Sequence, residues 1–346
     1  MAETKHRYDI DLARAIACLL AVGTHIPDIC PAEQLTPFVY DLRLCFSYLC
    51  RAVNPLFFMI SGCLYLSREK ADVAKTVKKA GKLLLLFLVW SALYLLRSQF
   101  LFRTYHSFNE FYTALFTGHY HLWFLTALAS ATFFLPLLHA AIHGEKVSLR
   151  YMLLLFLALA VVKYNAEMFI PKLWRGPLTM FSADVVPTLS YMLFGYWLSR
   201  REISGKHLAI LGGVTLLSLP LSVWLTENYS SLFPDLPSGI ILPPSYMSIL
   251  GAAFFFALCM YLVQKGKRPG KLMTQLSAMS LGIYLIHPLV IDEIKRLEFI
   301  GVLPALFTEK LTFLRLPFAF VLTAAVSFAL SFIIKKIPGL RKLISL

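Results

Sequence analysis

DIDLARAIACLLAVGTHIPD, residues 9–28, is the stretch whose interpretation decides the fold. Lys5, His6 and Arg7 followed by the apolar run Ile16 to Ile26 superficially resemble a secretory signal. Asp9, Asp11 and Arg14 break into the start of that run, however, and His25-Ile26-Pro27-Asp28 stands where a cleavage site would need small residues. The segment is therefore expected to remain in the protein as a first membrane span. Working outward, nine further apolar runs follow, at 46–66, 83–102, 121–142, 149–171, 185–199, 208–225, 244–264, 276–294 and 316–334. Each approaches the roughly 20 residues that a helix needs to cross a bilayer. The expected fold is an all-α polytopic membrane protein, a bundle of about ten transmembrane helices in one integral-membrane domain over 1–346, with no soluble domain.

Composition agrees. Of 346 residues 58% are hydrophobic and 15% charged, with mean hydropathy +0.68, whereas soluble domains carry about a quarter charged residues. A formal charge of +14 in a soluble protein would suggest nucleic acid, but here the basic residues cluster between apolar runs and act as a topology signal. With the N-terminus inside, the inner segments hold 21 of the 33 basic residues and the longer outer loops 10. Both termini are thus expected in the cytoplasm. Arg14 and Arg51 remain, within or at the edge of spans. Cys18, Cys63 and Cys259 fall inside spans. Cys30, Cys45 and Cys50 flank the first outer loop, where one disulfide or three thiols fit equally well. No Cys-x-x-Cys pair points to a metal.

Charge inside a span is costly and by default marks function. Asp11 and Arg14 are three residues apart and can pair on one helical face. His25 lies eleven residues beyond Arg14, close to three turns and about 16 Å along the axis. Between them that face carries only Ala17, Cys18 and Ala21. Two interpretations fit. The strip is a narrow groove with a cation at one end and an imidazole at the other, or it packs helices closely while Arg14 snorkels and His25 caps the outer end.

The segment Asp11-Leu12-Ala13-Arg14 with His25 resembles the opening signature of the acyltransferase-3 family of membrane O-acyltransferases. Further resemblances follow in order: Pro55-Leu56-Phe57-Phe58-Met59-Ile60-Ser61-Gly62, His121-Leu122-Trp123-Phe124-Leu125, Phe194-Gly195-Tyr196 with Arg200, and Gly282-Ile283-Tyr284-Leu285-Ile286-His287. Lys79-Ala80-Gly81-Lys82 departs from the family's Arg-x-x-Arg, and Ala13 replaces a glycine. The resemblance implies a stand-alone enzyme of the bacterial inner membrane, similar to members that O-acetylate enterobacterial common antigen. It would move an acyl group, most often acetyl, from cytoplasmic acyl-CoA (acetyl-CoA), a co-substrate and not a bound cofactor, to a hydroxyl of an envelope glycan or lipid-linked sugar.

In that scheme His25 is the general base and Arg14 sits at the donor site with Asp11 holding its side chain. Ser61, Gly62, Lys82, His121, Trp123, Tyr284 and His287 line donor or acceptor paths, and Arg51 faces the acceptor. Each has an alternative. Lys75, Lys78, Lys79 and Lys82 form a basic stripe that also suits anionic lipid; Ser61 and Gly62 suit close packing; Trp123 suits an interfacial belt. Tyr284 and His287 share a face, with Pro288 ending or kinking the turn. His139 and His143 have ligand spacing but no third ligand, so no metal is expected, and 226–243 is an acceptor-facing lid or a linker. The rival class is a transporter or flippase for a lipid-linked sugar or small metabolite, against which stands the lack of an inverted repeat. Membrane lipid and the two substrates are the expected partners, and nucleic acid is not one.

Overall fold

The computed structural model describes residues 6–29, 35–104, 107–144, 185–228, 231, 243–299 and 314–345, and every regular element among them is helical. In chain order these are α1 (Tyr8–His25), running into a 3-10 turn Ile26–Ile29, α2 (Pro37–Cys50), α3 (Val53–Leu66), α4 (Val73–Phe102), α5 (Phe108–Thr117) and α6 (Trp123–His143). Then follow α7 (Val185–Ser199), α8 (Gly205–Glu227), α9 (Pro243–Gln264), α10 (Lys271–Phe299), α11 (Arg315–Lys336) and a last 3-10 turn, Leu340–Leu343. Side chains at the N-cap start several of them. Asp72 accepts the Lys75 N–H at 2.9 Å, and Ser107 and Ser204 accept those of Glu110 and His207 at 3.2 Å.

Seven segments among the described residues are long and apolar enough to cross a membrane: Pro37–Leu66 taken as one, α4, α6, α8, Met247–Gln264 in α9, Lys271–Leu297 in α10, and α11. The other three expected runs have separate explanations. Helix α1 carries Asp9, Asp11 and Arg14 within 18 residues, α7 is 15 residues long, and 149–171 lies outside the described residues, as does most of 226–243. Three expectations need correction. The second run begins at Pro37, not 46, and is broken at Arg51-Ala52. A helix, α5, stands between the third and fourth runs where none was expected. Of the two expectations for Pro288, that it ends or kinks its turn, the first fails, because α10 continues to Phe299. Proline removes one backbone donor and leaves the carbonyl four residues earlier without its partner, a loss that a 29-residue helix embedded among neighbours tolerates.

The chain divides into two compact units, Met1–Ile60 with Ser199–Ile344, and Ser61–Leu198 with Ser345–Leu346. In the first, α1 packs against α2, α9, α10 and α11. It carries Asp9, Asp11 and Arg14 and is nevertheless closely enclosed, with Ala13, Ala15, Ala17, Cys18 and Val22 at 0–1% exposure. The periphery is its inverse. Leu216 and Leu217 of α8 and Val321 of α11 are more than 60% exposed, the arrangement expected when the surroundings are hydrocarbon and the polar groups must satisfy one another inside. Close approaches are made at small residues. A Cβ on Gly282 of α10 would lie 2.8 Å from Ser331 Oγ of α11, and one on Gly23 would lie 3.0 Å from the Phe46 ring of α2.

In the second unit α4 packs along α6 and against α5. A Cβ on Gly62 would collide with the backbone of Met192 in α7. The Tyr65 hydroxyl bonds Thr76 at 2.8 Å, and His139 Nε2–H donates to the Arg68 carbonyl at 2.8 Å.

Candidate active site

Two helices far apart in sequence build the site of the first unit. His25 is the last residue of α1 and half-exposed, His287 lies mid-way along α10 with 1% exposure, and their rings stack with centroids 5.5 Å apart at 27°. His287 Nδ1 lies 3.1 Å from the Ile283 carbonyl. A carbonyl only accepts, so Nδ1 carries the proton, and in the neutral ring Nε2 keeps the lone pair. The Tyr284 ring follows at 6.2 Å from His287. The end of α1 is held in place by α2. Thr24 Oγ1 donates to the carbonyls of Leu20 and Cys50, and both Arg43 Nε and Nη2 donate to the Pro27 carbonyl at 3.2 and 2.9 Å. These bonds fix where His25 stands relative to α2.

The other end of α1 is a polar knot. Asp11 accepts from Ser277 Oγ of α10 at 2.9 Å and from His6 Nε2 at 2.6 Å, while Arg7 grips Asp9 through Nε and Nη2 at 2.9 and 2.7 Å. The Arg268 guanidinium stands 5.3 Å from the Tyr8 ring centroid. The expected pairing of Asp11 with Arg14 is thereby corrected. The carboxylate turns to Ser277 and His6, and among the described residues it reaches the half-buried Arg14 only as a neighbouring charge. A second correction concerns the small strip. Ala17 and Cys18 are at 0% and Ala21 at 4% exposure, so no open groove runs along this face; it is where α1 meets its neighbours, as small residues allow. Arg51 is exposed at the break between α2 and α3. Cys45 and Cys50 are both thiols, and Cys30 is outside the described residues.

The second unit holds the remaining named residues. His121 is 3% exposed, and its Nδ1 lies 2.9 Å from His119 Nδ1, one donating and the other accepting. Tyr94 of α4 stacks on His119 at 4.1 Å and meets His121 edge-on at 5.2 Å. His119 was not singled out from sequence; its position two residues before the motif histidine was the available signal. Trp123 is 41% exposed at the start of α6. Ser61 is half-buried, Gly62 lies against α7, and Lys75, Lys78, Lys79 and Lys82 are all exposed on α4. His139 and His143 stack at 4.0 Å, with a ring nitrogen of each spent on a backbone carbonyl.

What unit one offers chemically is an imidazole pair, one ring buried and oriented, the other accessible at a helix end. Imidazole is the side chain best suited to accept and return a proton near neutral pH. A family model described as an acyltransferase domain matches residues 7–332, a span that contains Arg14, His25, Tyr284 and His287. No curated protein and no solved structure matches the chain. With seven helical segments able to cross a membrane and a family match over nearly all its length, the chain belongs to the acyltransferase-3 family and is a membrane acyltransferase.

Proposed function

We propose that the protein is an O-acyltransferase that moves an acyl group, in the first instance acetyl, from cytoplasmic acyl-CoA to a hydroxyl of an envelope carbohydrate, with His25 as the general base. The observation that carries this is the stacking of His25 on His287, 262 positions apart in sequence, at 5.5 Å. His25 takes the proton of the acceptor hydroxyl, the freed oxygen attacks the thioester carbonyl, the carbon–sulfur bond breaks, and the departing CoA thiolate takes up the proton from the imidazolium. His287 holds the plane of His25 and is a positioning residue. Arg14 and the basic knot around Arg7 and Arg268 supply positive charge for the donor phosphates.

The orientation belongs to the same proposal: ten spans, both termini in the cytoplasm, in a bacterial inner membrane. One feature supports the span count. Asp11 bonds Ser277 and His25 stacks on His287, so α1 and α10 run parallel. Ten spans put an odd number of crossings between these two helices, which parallel helices require.

Purified His25→Gln tests the base. Acceptor-dependent CoA release should fall by about 10²- to 10⁴-fold, while acyl-CoA binding by calorimetry stays within about twofold of wild type. Retention of the wild-type rate in His25→Gln and His25→Ala would remove His25 from the chemistry.

A further inference from the structure

The second unit contains a cavity of about 660 Å³ between the α5 helix, the segment 117–120 and α4, inside the range of about 300–1,000 Å³ typical of small-molecule sites. We propose that it binds a neutral carbohydrate; building on the function above, this is an anchoring subsite for the acceptor.

The lining argues for that chemistry. Asn109, Glu110 and Thr113 come from one face of α5, Ser91 and Tyr94 from α4, and Tyr120 from the rim. No lysine or arginine is among the described lining residues, which makes the cavity a poor host for phosphate or CoA and, with a carboxylate present, for any anion. A carboxylate, an amide and several hydroxyls are instead the acceptors and donors that sugar hydroxyls need. An aromatic wall is present too. Tyr94 and His119 stack at 4.1 Å and Tyr120 lies 4.4 Å from His119, offering electron-rich faces on which the C–H side of a pyranose rests.

Two further observations mark a site that is built. Ser91 Oγ is fully buried, lines the cavity, and has no hydrogen-bond partner among the described residues; a buried hydroxyl is rarely left so, and a ligand hydroxyl in the cavity would satisfy it. Gly118 adopts φ 74° and ψ 172°, a conformation essentially confined to glycine, and a Cβ there would lie 3.0 Å from that same Ser91 Oγ. The chain thus keeps this wall bare. Helix α5 also sorts its faces. Asn109, Thr113 and Thr117 line the cavity, whereas Phe108, Tyr112 and Phe116 are 84%, 52% and 50% exposed, as expected of a helix lying in a membrane interface with its polar side over a site.

The test is saturation-transfer NMR on the full chain in detergent, without acyl-CoA, using chitotriose and maltotriose as neutral probes and sialyllactose as an anionic one. At least one neutral probe should receive saturation and sialyllactose should not. Glu110→Gln and Tyr120→Ala, both at the exposed rim, should each weaken binding about fivefold, the loss expected for one hydrogen bond or stacking contact. Absence of transfer to both neutral probes, equal transfer to sialyllactose, or unchanged binding in both variants overturns the proposal. Acyl transfer is measured separately with acyl-CoA added: sugar binding without any acyl transfer would sink the enzymatic proposal alone, and acyl transfer with unaltered acceptor KM in both variants would sink the cavity alone.

Discussion

His25 and His287 differ in what surrounds them. His25 ends a helix and remains accessible, whereas His287 is enclosed, with Nδ1–H spent on the Ile283 carbonyl. A buried ring stacked on an accessible one holds that ring's plane by its shape. His287→Phe keeps an aromatic plane of similar size, so transfer should stay within about tenfold of wild type, whereas His287→Ala opens a void and lets His25 turn, with a loss of about 10²-fold from misplaced geometry. The fall should lie in kcat, with the acyl-CoA dissociation constant unmoved. Equal loss in both variants would show that His287 contributes its nitrogen and not its plane. Both histidines were visible as sequence motifs, but their partnership was not. Helical spacing relates residues within one helix, and nothing in a period of 3.6 says which turn of α10 faces which turn of α1. The same limit explains Asp11: an i, i+3 arginine was a reasonable partner, yet Ser277 from another helix takes the carboxylate.

At the level of elements, small residues set how close helices stand. Gly282 is five residues before His287, and its missing side chain lets Ser331 of α11 approach. Gly282→Val should destabilise the protein by about 1–3 kcal/mol through overpacking, visible as a lower unfolding midpoint in detergent, and should lower activity further by displacing His287. Gly282→Ala should fall between. Helix starts offer a pH test. The Lys75 backbone N–H, then the Lys75 ammonium 3.0 Å away, hold the exposed Asp72 carboxyl below its ordinary value. A lowered folded value means that stability is present above the unfolded value, near 3.8, and is lost as pH falls through the folded one. Wild type should therefore melt above Asp72→Ala at pH 7, with the gap closing as pH falls below about 4; a gap independent of pH would mean that the carboxylate charge plays no part. Legibility varied here as well. Apolar length gave the long helices, but α5 is short and amphipathic, and its only announcement was Ser107-x-x-Glu110, a capping-box pattern. The extension of the second run back to Pro37 was hidden by Tyr40, Asp41 and Arg43, polar groups tolerated because Arg43 is used to hold the Pro27 carbonyl.

At the scale of the whole molecule, the excess of basic charge and the parallel run of α1 and α10 bear on the same question from independent directions. The charge count is a matter of composition in the connecting segments, and the parallel run follows from two contacts inside the first unit. The parallel run puts the start of α1 and Lys271 at one end of the first unit, and in the orientation proposed above the charge count assigns that end, and separately the basic segment that opens α4, to the cytoplasm. In the same proposed orientation the segment between the third and fourth apolar runs, which carries Tyr120 and the mouth of the 660 Å³ cavity, is an outer one, where a carbohydrate acceptor would arrive. Single cysteines in a background without the native ones decide this. Ser67→Cys and Ser204→Cys should resist a membrane-impermeant maleimide in intact spheroplasts and react after lysis. Asn109→Cys, on the exposed rim, should react before lysis, and a neutral oligosaccharide that fills the cavity should slow its labelling. Reaction of Ser67→Cys in intact spheroplasts would invert the orientation, because the donor-side basic groups would then face away from the cytoplasmic acyl-CoA pool.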